Sequence, residues 1–481
     1  MKDKLILVLF LFPVASIISA VLSVIVYQSI TSGAVDISAL RFGTIIKLLT
    51  DERQIQAFFL AFLGVAVLGI LVLVFNQVND AYTGKLIKIT DKISTPAPDG
   101  QKQHGSARWM NRKDFDKQFD HVELSSKSQE LASGGTVIGM TKERGKEKLY
   151  YVGDDIHTLC IGSTRSGKTR CVVLESIGLL GLAGESMILS DPKAELFTNT
   201  APFLESQGYE VIAFDFRQPL KSHRYNFLQN VIDAVHDGDI PRAIDCAWDI
   251  TSSLVGETKG ERIWNDGEAS VIASSILAVV VDNIDRPEFQ NLTNVYYFIA
   301  NMCQTTGTDL PINKYMKFLP DSHPAKALLG ISEVAPSRTR GSFFTSALTT
   351  LRLFTNPLIY AMTCKSDFRP QNIGQEKQAV FIILPDEKTT YYSLASLFVS
   401  QTYELLVGEA DKLGGRLHRR VNLILDEFGN FTKIPSFANK LTVGGGRGIR
   451  FNLFVQSLAQ IEEAYGKESA TTIKGNCAVW I

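Results

Sequence analysis

Long uncharged hydrophobic runs occur near the start of the chain, and shorter apolar runs separated by polar turns occupy the rest. Residues 5–26 are 22 consecutive positions without a charge, and residues 57–75 are another 19. Because about 20 apolar residues are needed to cross a bilayer as a helix, this pattern predicts two transmembrane helices over about 5–27 and 57–76. The alternative for the first run is a cleaved signal peptide, whose apolar core is typically only about 7–15 residues long.

Basic residues flank this predicted membrane anchor, which we assign to residues 1–78. They are Lys2, Lys4, Lys85, Lys88, Lys92 and Lys102. Basic flanks favour the cytoplasmic side of a membrane, so we expect a multi-pass membrane protein with its large domain in the cytoplasm. The polar residues 79–104, with Pro96, Pro98 and Gly100, have the composition of a linker.

Beyond the linker, two kinds of apolar spacing alternate. Short continuous runs typical of buried parallel strands occur at 158–161, 187–189, 210–214, 379–384, 421–425 and 451–455. Between the third and fourth runs, spacing of three and four positions predicts helices at 240–254, 263–284, 291–302, 325–334 and 343–354. The sequence therefore predicts an α/β fold in which a parallel-sheet domain, formed by 105–230 and 366–481, is interrupted by an all-α domain at 231–365.

Composition adds little to this picture. The 481 residues are 45% hydrophobic, which supports a large buried core and more than one domain. Lys and Arg together number 49 against 50 for Asp and Glu, so no global basic field indicates a nucleic acid partner. The six cysteines are scattered without the spacing of a metal site, and we expect free thiols in a reducing compartment.

A phosphate-binding loop connects the strand at 158–161 to a helical pattern. It consists of Gly162, Ser163, Thr164, Arg165, Ser166, Gly167, Lys168 and Thr169, followed by Arg170. The glycines let backbone N–H groups surround phosphates, Lys168 reaches the β- and γ-phosphates, and the Thr169 hydroxyl binds Mg²⁺. We expect these nine residues to bind ATP with Mg²⁺.

Two acidic residues follow the buried run at 421–425. Asp426 is placed to hold Mg²⁺ and Glu427 to polarise the attacking water, so Asp426 is a predicted metal residue and Glu427 a predicted catalytic one. An ordinary polar turn after a strand is the alternative. In a chain that also carries a phosphate loop, the catalytic interpretation is favoured.

Three further residues are candidates for catalysis. Gln456 ends the run at 451–455 and suits a sensor of the γ-phosphate, although it is also compatible with capping the next helix. Arg447 and Arg450 follow a glycine run and are candidates for arginine fingers that act on a neighbouring subunit. A solvated basic loop is the alternative for both arginines.

Taken together, these motifs resemble the type IV secretion coupling proteins of conjugation systems, the TraG/TraD-like ATPases. The resemblance rests on Gly-Ser-Ala-Arg-Trp at 105–109, the phosphate loop at 162–169, Ser-Asp-Pro-Lys-Ala-Glu at 190–195, Leu-Asp-Glu-Phe-Gly at 425–429 and Gln-Ser at 456–457. These signatures occur in the family's order over nearly the whole chain. One departure is Tyr-Asn-Phe-Leu at 225–228, where the family commonly has Tyr-Asn-Pro-Leu.

The resemblance implies a RecA-like core with the all-α domain at its cytoplasmic face. It also implies an inner-membrane ATPase, hexameric when active, that recruits single-stranded DNA with its relaxase (the relaxosome). Such a protein passes its substrate to components of the type IV secretion channel. The alternatives are a receptor for secreted protein effectors and an FtsK-like double-stranded DNA translocase. A translocase of that kind usually has more membrane spans and a C-terminal DNA-reading domain.

Overall fold

The structure analysed is a computed structural model of the chain. It describes residues 17–25, 27–29, 33, 50, 52–53, 55–65, 86–90, 93–96, 110, 112–124, 130–143, 145–256, 262–304, 310–385 and 387–481. Two compact units divide the chain, Met1–Asn111 and Arg112–Ile481. The Gly-Ser-Ala-Arg-Trp motif at 105–109 lies outside the described residues.

The first unit contains helical residues and one hairpin. Helix is described at 17–25, 27–29, 52–53 and 55–65. More than half of each predicted span, 5–27 and 57–76, lies outside the described residues, and none of the helices that are described is long and apolar enough to cross a bilayer. Strands β1 (Leu86–Thr90) and β2 (Ile93–Pro96) pair antiparallel within the predicted linker. This hairpin was not predicted from the sequence.

A seven-stranded sheet organises the second unit, and every neighbouring pair in it is parallel. Its strands are β6 (His157–Ile161), β7 (Ser186–Asp191), β8 (Glu210–Asp215), β9 (Gln378–Ile383), β10 (Val421–Leu425), β11 (Ile449–Val455) and β12 (Cys477–Trp480). The order across the sheet is β12-β6-β11-β10-β7-β9-β8. Strands β7, β9, β10 and β11 are buried along their whole length, which explains the high apolar content of these segments.

Helices cover both faces of this sheet. On one face, α2 (Leu174–Ala183) and α3 (Glu195–Ser206) pack through Ile177, Leu180 and Leu204 against residues such as Phe381. On the other face lies α12 (Tyr392–Lys412), 21 residues long and buried over most of its length. The remaining helices near the C-terminus are α13 (Phe437–Gly444), α14 (Leu458–Tyr465) and α15 (Lys467–Asn476).

The predicted helical insert is confirmed. Between β8 and β9 the chain forms α4 (Gln229–His236), α5 (Ile240–Val255), α6 (Arg262–Asp282), α7 (Leu292–Met302), α8 (Pro311–Phe318), α9 (Pro324–Glu333), α10 (Ser337–Leu351) and α11 (Pro357–Thr363). All five predicted helices are present. Helices α4, α8 and α11 were missed, because each is only seven or eight residues long. Helix α8 also ends in Phe318, which is 89% exposed.

Helix α6 forms the centre of the insert. Almost every residue from Gly267 to Val280 is buried, and the hydroxyls of Ser270 and Ser274 donate to the carbonyls of Leu328 and Ala325 in α9, at 2.6 and 2.7 Å. The hydrophobic core of the insert is continuous with that of the sheet, since one cluster joins α6 to β10 and β11. The insert is therefore packed onto the sheet rather than tethered beside it.

A small antiparallel sheet precedes β6. It has three strands in the order β3-β5-β4, with β3 at Asp120–Glu123, β4 at Thr136–Glu143 and β5 at Lys146–Val152. A short helix, α1 (Arg112–Gln118), packs beside it. Thr136 connects the small sheet to the main sheet, because its hydroxyl donates to Asn452 Oδ1 in β11 at 2.6 Å.

Candidate nucleotide-binding site

The phosphate loop follows β6 at the C-terminal edge of the main sheet. Its glycines are required by the local geometry: a Cβ added to Gly162 would lie 2.5 Å from Ser166 Oγ, and Gly167 has a φ of 92°. The N–H of Gly162 donates to the carbonyl of Val455 at 3.1 Å, which ties the loop to β11. The helical turn after the loop, Thr169–Val173, is wider than an α-turn and continues into α2.

The other predicted residues of the loop are accessible to solvent. Ser163, Thr164, Arg165, Ser166 and Arg170 are all exposed. Arg165 has a φ of 65°, a left-handed conformation that is uncommon for a residue with a Cβ. Backbone strain of this kind often occurs in ligand-binding loops. The exposed loop is thus open to a phosphate ligand from the solvent side.

Lys168 points back into the loop. Its ammonium donates to the carbonyl of Ser163 at 3.3 Å and also to the carbonyl of Gly162. These two carbonyls hold the charge in the concave space that the phosphates of a nucleotide would enter. A bound phosphate would offer the ammonium stronger, charged acceptors in place of neutral carbonyls.

Thr169 and Asp426 meet at the start of α2. Thr169 Oγ1 donates to Asp426 Oδ2 at 3.0 Å, and the Asp426 carboxylate is only 7% exposed. Burial raises the pKa of Asp426, while the Thr169 hydroxyl and the N–H of Glu427 lower it. A hydroxyl and a carboxylate suit Mg²⁺, which takes one or two protein oxygens and completes its shell with waters and phosphates. The residues therefore fit the predicted metal role.

Ser190 positions Asp426, and the sequence analysis gave it no role of its own. Its hydroxyl donates to the carbonyl of Asp426 at 2.7 Å, from the end of the adjacent strand β7. The sequence offered only a weak signal, because a serine at the end of a buried strand has many uses. The pairing of β7 with β10 is what gives it this contact.

Glu427 and Gln456 are also brought together. Gln456 Nε2 donates to Glu427 Oε2 at 3.0 Å, and Glu427 has a φ of 53°, so its backbone is in the left-handed region. The N–H of Glu427 donates to Asp426 Oδ1 at 3.0 Å, which fixes the turn between the two acidic residues. The two carboxylates therefore leave the end of β10 in different directions, one toward Thr169 and one toward Gln456.

A second glutamine supports Gln456. Gln460 Oε1 accepts the N–H of Gln456 at 2.9 Å. The same oxygen accepts the N–H of Ser457 at 3.4 Å, in a capping box at the start of α14. A Cβ added to Gly429 would lie 2.4 Å from Gln460 Cδ, so the chain after Glu427 passes close to this cap. The Ser-x-x-Gln spacing at 457–460 is the sequence signal for the cap. It was not used in the prediction.

The order of the strands explains why these distant residues meet. Strand β11 lies between β6 and β10, so Gln456 emerges between the phosphate loop and Glu427. Thr169 and Asp426 are 257 positions apart in sequence and in hydrogen-bond contact in space. The carboxyl ends of parallel strands share one edge of a sheet, where ligands bind in open α/β folds.

The two predicted arginine fingers lie at the opposite edge of the sheet. Arg450 is at the N-terminal end of β11, about 20 Å along the strand from Gln456. It is 3% exposed, and it donates to Asn422 Oδ1 at 2.7 Å, to the carbonyls of Gly134 and Gly153, and to the carboxylate of Glu185. The prediction that Arg450 projects as a finger is wrong, because burial and these contacts confine it within its own subunit.

Arg447 differs from Arg450 in its surroundings. Its guanidinium pairs with Asp411 at 2.9 Å, and the two side chains are 28% and 56% exposed. It lies just before β11, away from the nucleotide site of its own chain. Its role as an arginine finger stays a prediction.

This fold and site define a P-loop nucleotide-binding protein. Residues 108–481 match the profile of the family described as type IV secretory system conjugative DNA transfer. Because the match covers most of the chain, the chain belongs to this family. Membership confirms the resemblance stated from the motifs.

Individual relatives agree with this assignment. The chain is 25% identical over 397 residues to the conjugal transfer protein TraG of Escherichia coli, covering 78% of this chain and 61% of that protein. It is 24% identical over 390 residues to the VirD4 protein of Rhizobium radiobacter, covering 79% and 53% respectively. The chain thus spans between about half and three fifths of the length of these relatives.

Solved structures show the same fold. The unbound bacterial conjugative coupling protein TrwBΔN70 superposes with a TM-score of 0.52 at 20% identity, covering 73% of this chain and 72% of that one. The plasmid coupling protein TrwB in complex with the ATP analogue ADPNP superposes with a TM-score of 0.52 at 18% identity, covering 78% and 80%. At this level of identity the likeness concerns the fold.

Proposed function

We propose that this chain is a membrane-anchored ATPase that binds ATP with Mg²⁺ and uses hydrolysis to drive DNA transfer in a type IV secretion system. The observation that carries the proposal is the convergence of four side chains at one sheet edge. Thr169 contacts Asp426 and Gln456 contacts Glu427, both beside the phosphate loop. This is the arrangement that ATP hydrolysis requires, and family membership supplies the transfer context.

In the proposed reaction, Lys168 and Thr169 bind the nucleotide. Lys168 exchanges the carbonyls of Gly162 and Ser163 for oxygens of the β- and γ-phosphates. Thr169 and Asp426 would together hold Mg²⁺, which would neutralise charge on these phosphates. The exposed residues 163–166 and Arg170 complete the rim of the site. The structural relative TrwB has been solved with ADP and Mg²⁺, which supports the choice of ligand.

Glu427 and Gln456 act on the water. Glu427 is positioned to orient a water molecule in line with the γ-phosphate and to accept its proton. The hydrogen bond from Gln456 holds the Glu427 carboxylate before ATP arrives. When ATP is bound, the same amide is free to turn toward the γ-phosphate, so Gln456 senses whether a terminal phosphate is present.

The assembly and the partners belong to the same proposal. We infer a homo-hexamer in which Arg447 reaches the site of the adjacent subunit, because it lies far from the site of its own chain. We infer two transmembrane helices at about 5–27 and 57–76 and an ATPase domain in the cytoplasm. Single-stranded DNA with its relaxase is the proposed substrate, the helical insert is its docking platform, and the secretion channel receives it.

Two variants of the full-length chain in detergent test the hydrolytic role. Lys168→Ala removes the phosphate contact, so it should weaken ATP binding and abolish turnover. Glu427→Gln keeps the shape of the side chain and removes its charge, so ATP should bind normally while turnover falls by about a hundredfold or more. Single-stranded DNA should stimulate the wild-type enzyme. The measurements are nucleotide affinity and DNA-dependent phosphate release.

Glu463→Gln is the matched control, because Glu463 is an exposed carboxylate of α14 outside the site. It should retain wild-type turnover. Steady-state turnover in Glu427→Gln equal to that of the wild type would refute the assignment of Glu427. Stimulation by double-stranded DNA alone would favour the translocase alternative.

A further inference from the structure

The Asp-Pro-Lys turn after β7 has no role in the site as described so far. Lys193 of this turn lines a small pocket together with Thr169, Asp426 and Glu427. It is the only lysine among the described residues that line this pocket. The cationic side chain of Lys193 therefore shares a pocket with the proposed metal-binding and water-activating residues. It follows β7, whereas the phosphate loop follows β6.

The turn is built around a buried carboxylate. Asp191 is 1% exposed, and its Oδ2 accepts the N–H of Phe197 at 2.8 Å. Further backbone N–H groups of the turn, including that of Lys193, also hydrogen-bond to this carboxylate. Ala194 has a φ of 58°, a strained conformation that the turn requires. These contacts fix the backbone on both sides of Lys193.

A second cation holds the turn from outside. Arg217 Nη1 donates to the carbonyl of Lys193 at 2.7 Å, from the segment that follows β8. The backbone N–H of Arg217 donates in turn to Asp215 Oδ1 at 2.8 Å. The main chain of Lys193 is thus anchored by Asp191 and by Arg217, whereas its side chain is exposed at the pocket.

The strand order places Lys193 opposite Gln456. Strand β10, which carries Asp426 and Glu427, has β11 on one side and β7 on the other. Gln456 follows β11 and Lys193 follows β7, so they flank the two acidic residues. Lys168 approaches from the phosphate loop and is separated from Lys193 by these residues.

We propose that Lys193 is a catalytic residue whose ammonium binds the terminal phosphate of ATP. This inference rests on the proposed ATPase function and adds a group to the same site. Lysine is well suited to the task because its ammonium is a compact charge that needs no planar partner. The buried turn fixes the backbone of Lys193, which lowers the conformational entropy that is lost when its flexible side chain binds. Lys193 would then distinguish a triphosphate from a diphosphate.

The competing explanation is that Lys193 only balances the neighbouring carboxylates. The two explanations differ in their effect on nucleotide choice, because ADP lacks the group that Lys193 is proposed to contact. Lys193→Met removes the charge and keeps most of the chain length. We expect affinity for ADPNP to fall about tenfold to a hundredfold, the value of one charge-assisted hydrogen bond, and affinity for ADP to change less than about twofold.

The experiment measures the binding of ADPNP and of ADP, each with Mg²⁺, to the full-length chain by calorimetry. Lys193→Arg should keep most of the discrimination. Lys221→Met is the matched control, since Lys221 is exposed at the end of a short turn after β8 and lies outside the pocket. Unchanged ADP affinity in each variant also shows that the site is folded.

The outcomes separate this inference from the proposed function. An equal loss of affinity for both nucleotides, or no loss for either, overturns the role of Lys193. The proposed function still stands in that case if the wild type binds the nucleotides. Failure of the wild type to bind either nucleotide overturns the proposed function and this inference together. A selective loss of ADPNP affinity in Lys193→Met supports the assignment.

Discussion

Replacing Arg450 should lower the free energy of unfolding of the second unit. We expect this effect without any contribution from a neighbouring subunit. Its guanidinium donates to the side chains of Asn422 and Glu185 and to the backbone carbonyls of Gly134, Gly153 and Asp154. Burial lowers its pKa to about 10, so it remains charged at neutral pH. The variant Arg450→Met keeps the side-chain volume similar and removes every one of these donors.

The magnitude follows from what each partner retains. Glu185 keeps hydrogen bonds from the N–H of Gly134 at 2.9 Å and from Arg420 at 3.0 Å, so its charge stays compensated. The carbonyl of Gly134 and the Oδ1 atom of Asn422 lose the donor that Arg450 supplies in a buried setting. Each buried acceptor left without a donor costs about 1–3 kcal/mol, so the sum is about 2–6 kcal/mol. We expect a loss of this size in the free energy of unfolding.

Arg447→Met provides the comparison. Its ion pair with Asp411 is partly exposed, and such pairs contribute about 0–1 kcal/mol. Urea titrations of both full-length variants in detergent at pH 7, followed by tryptophan fluorescence, measure the difference. Trp248 and Trp480 lie in the second unit and report on its unfolding.

Equal stability of the two variants, within about 1 kcal/mol, would refute the account of Arg450 as a buried structural residue. A stable Arg450→Met protein that poisons mixed assemblies would restore the original prediction of a finger. The experiment therefore distinguishes a side chain that supports its own subunit from one that serves its neighbour.

Two further predictions concern pH and assembly. His157 is buried, its Nε2 donates to the carbonyl of Leu441 at 2.6 Å and its Nδ1 accepts the N–H of Phe451 at 3.0 Å. The ring is therefore neutral in the folded protein, and burial lowers the pKa of His157. Since unfolded histidine takes up a proton near pH 6.5, the contribution of His157 to stability is complete above that pH and is lost as pH falls below it, by at most about 1.4 kcal/mol per unit. Urea midpoints between pH 7.5 and 5 should show this fall in the wild type and a smaller one in His157→Gln, with the exposed His236→Gln unchanged; parallel curves for all three would contradict it. In the second test, doping wild-type protein with Arg447→Ala should lower turnover more than in proportion to the added variant, because one defective finger disables an adjacent site. A strictly proportional loss would argue for self-contained sites.

The sequence by itself determined the chemistry and most of the elements. The loop at 162–169 needs particular residue types in consecutive positions, so its chemistry is local and visible in one dimension. The strand at 421–425 was predicted with its observed bounds, because four of its five residues are apolar, as expected for a strand buried on both faces. The helical insert was equally visible, since spacing of three and four residues persists over many turns.

Only the tertiary structure decided which of these residues meet. Arg447 and Arg450 are three positions apart and chemically alike, yet one is partly exposed and the other is 3% exposed beside Glu185. Lys193 gains its place in the site from the pairing of β7 with β10, which joins segments more than 200 positions apart. Strand order and burial are set by packing across the whole sheet. Local sequence patterns do not encode these long-range contacts, so the surroundings of these three side chains are known only from the fold.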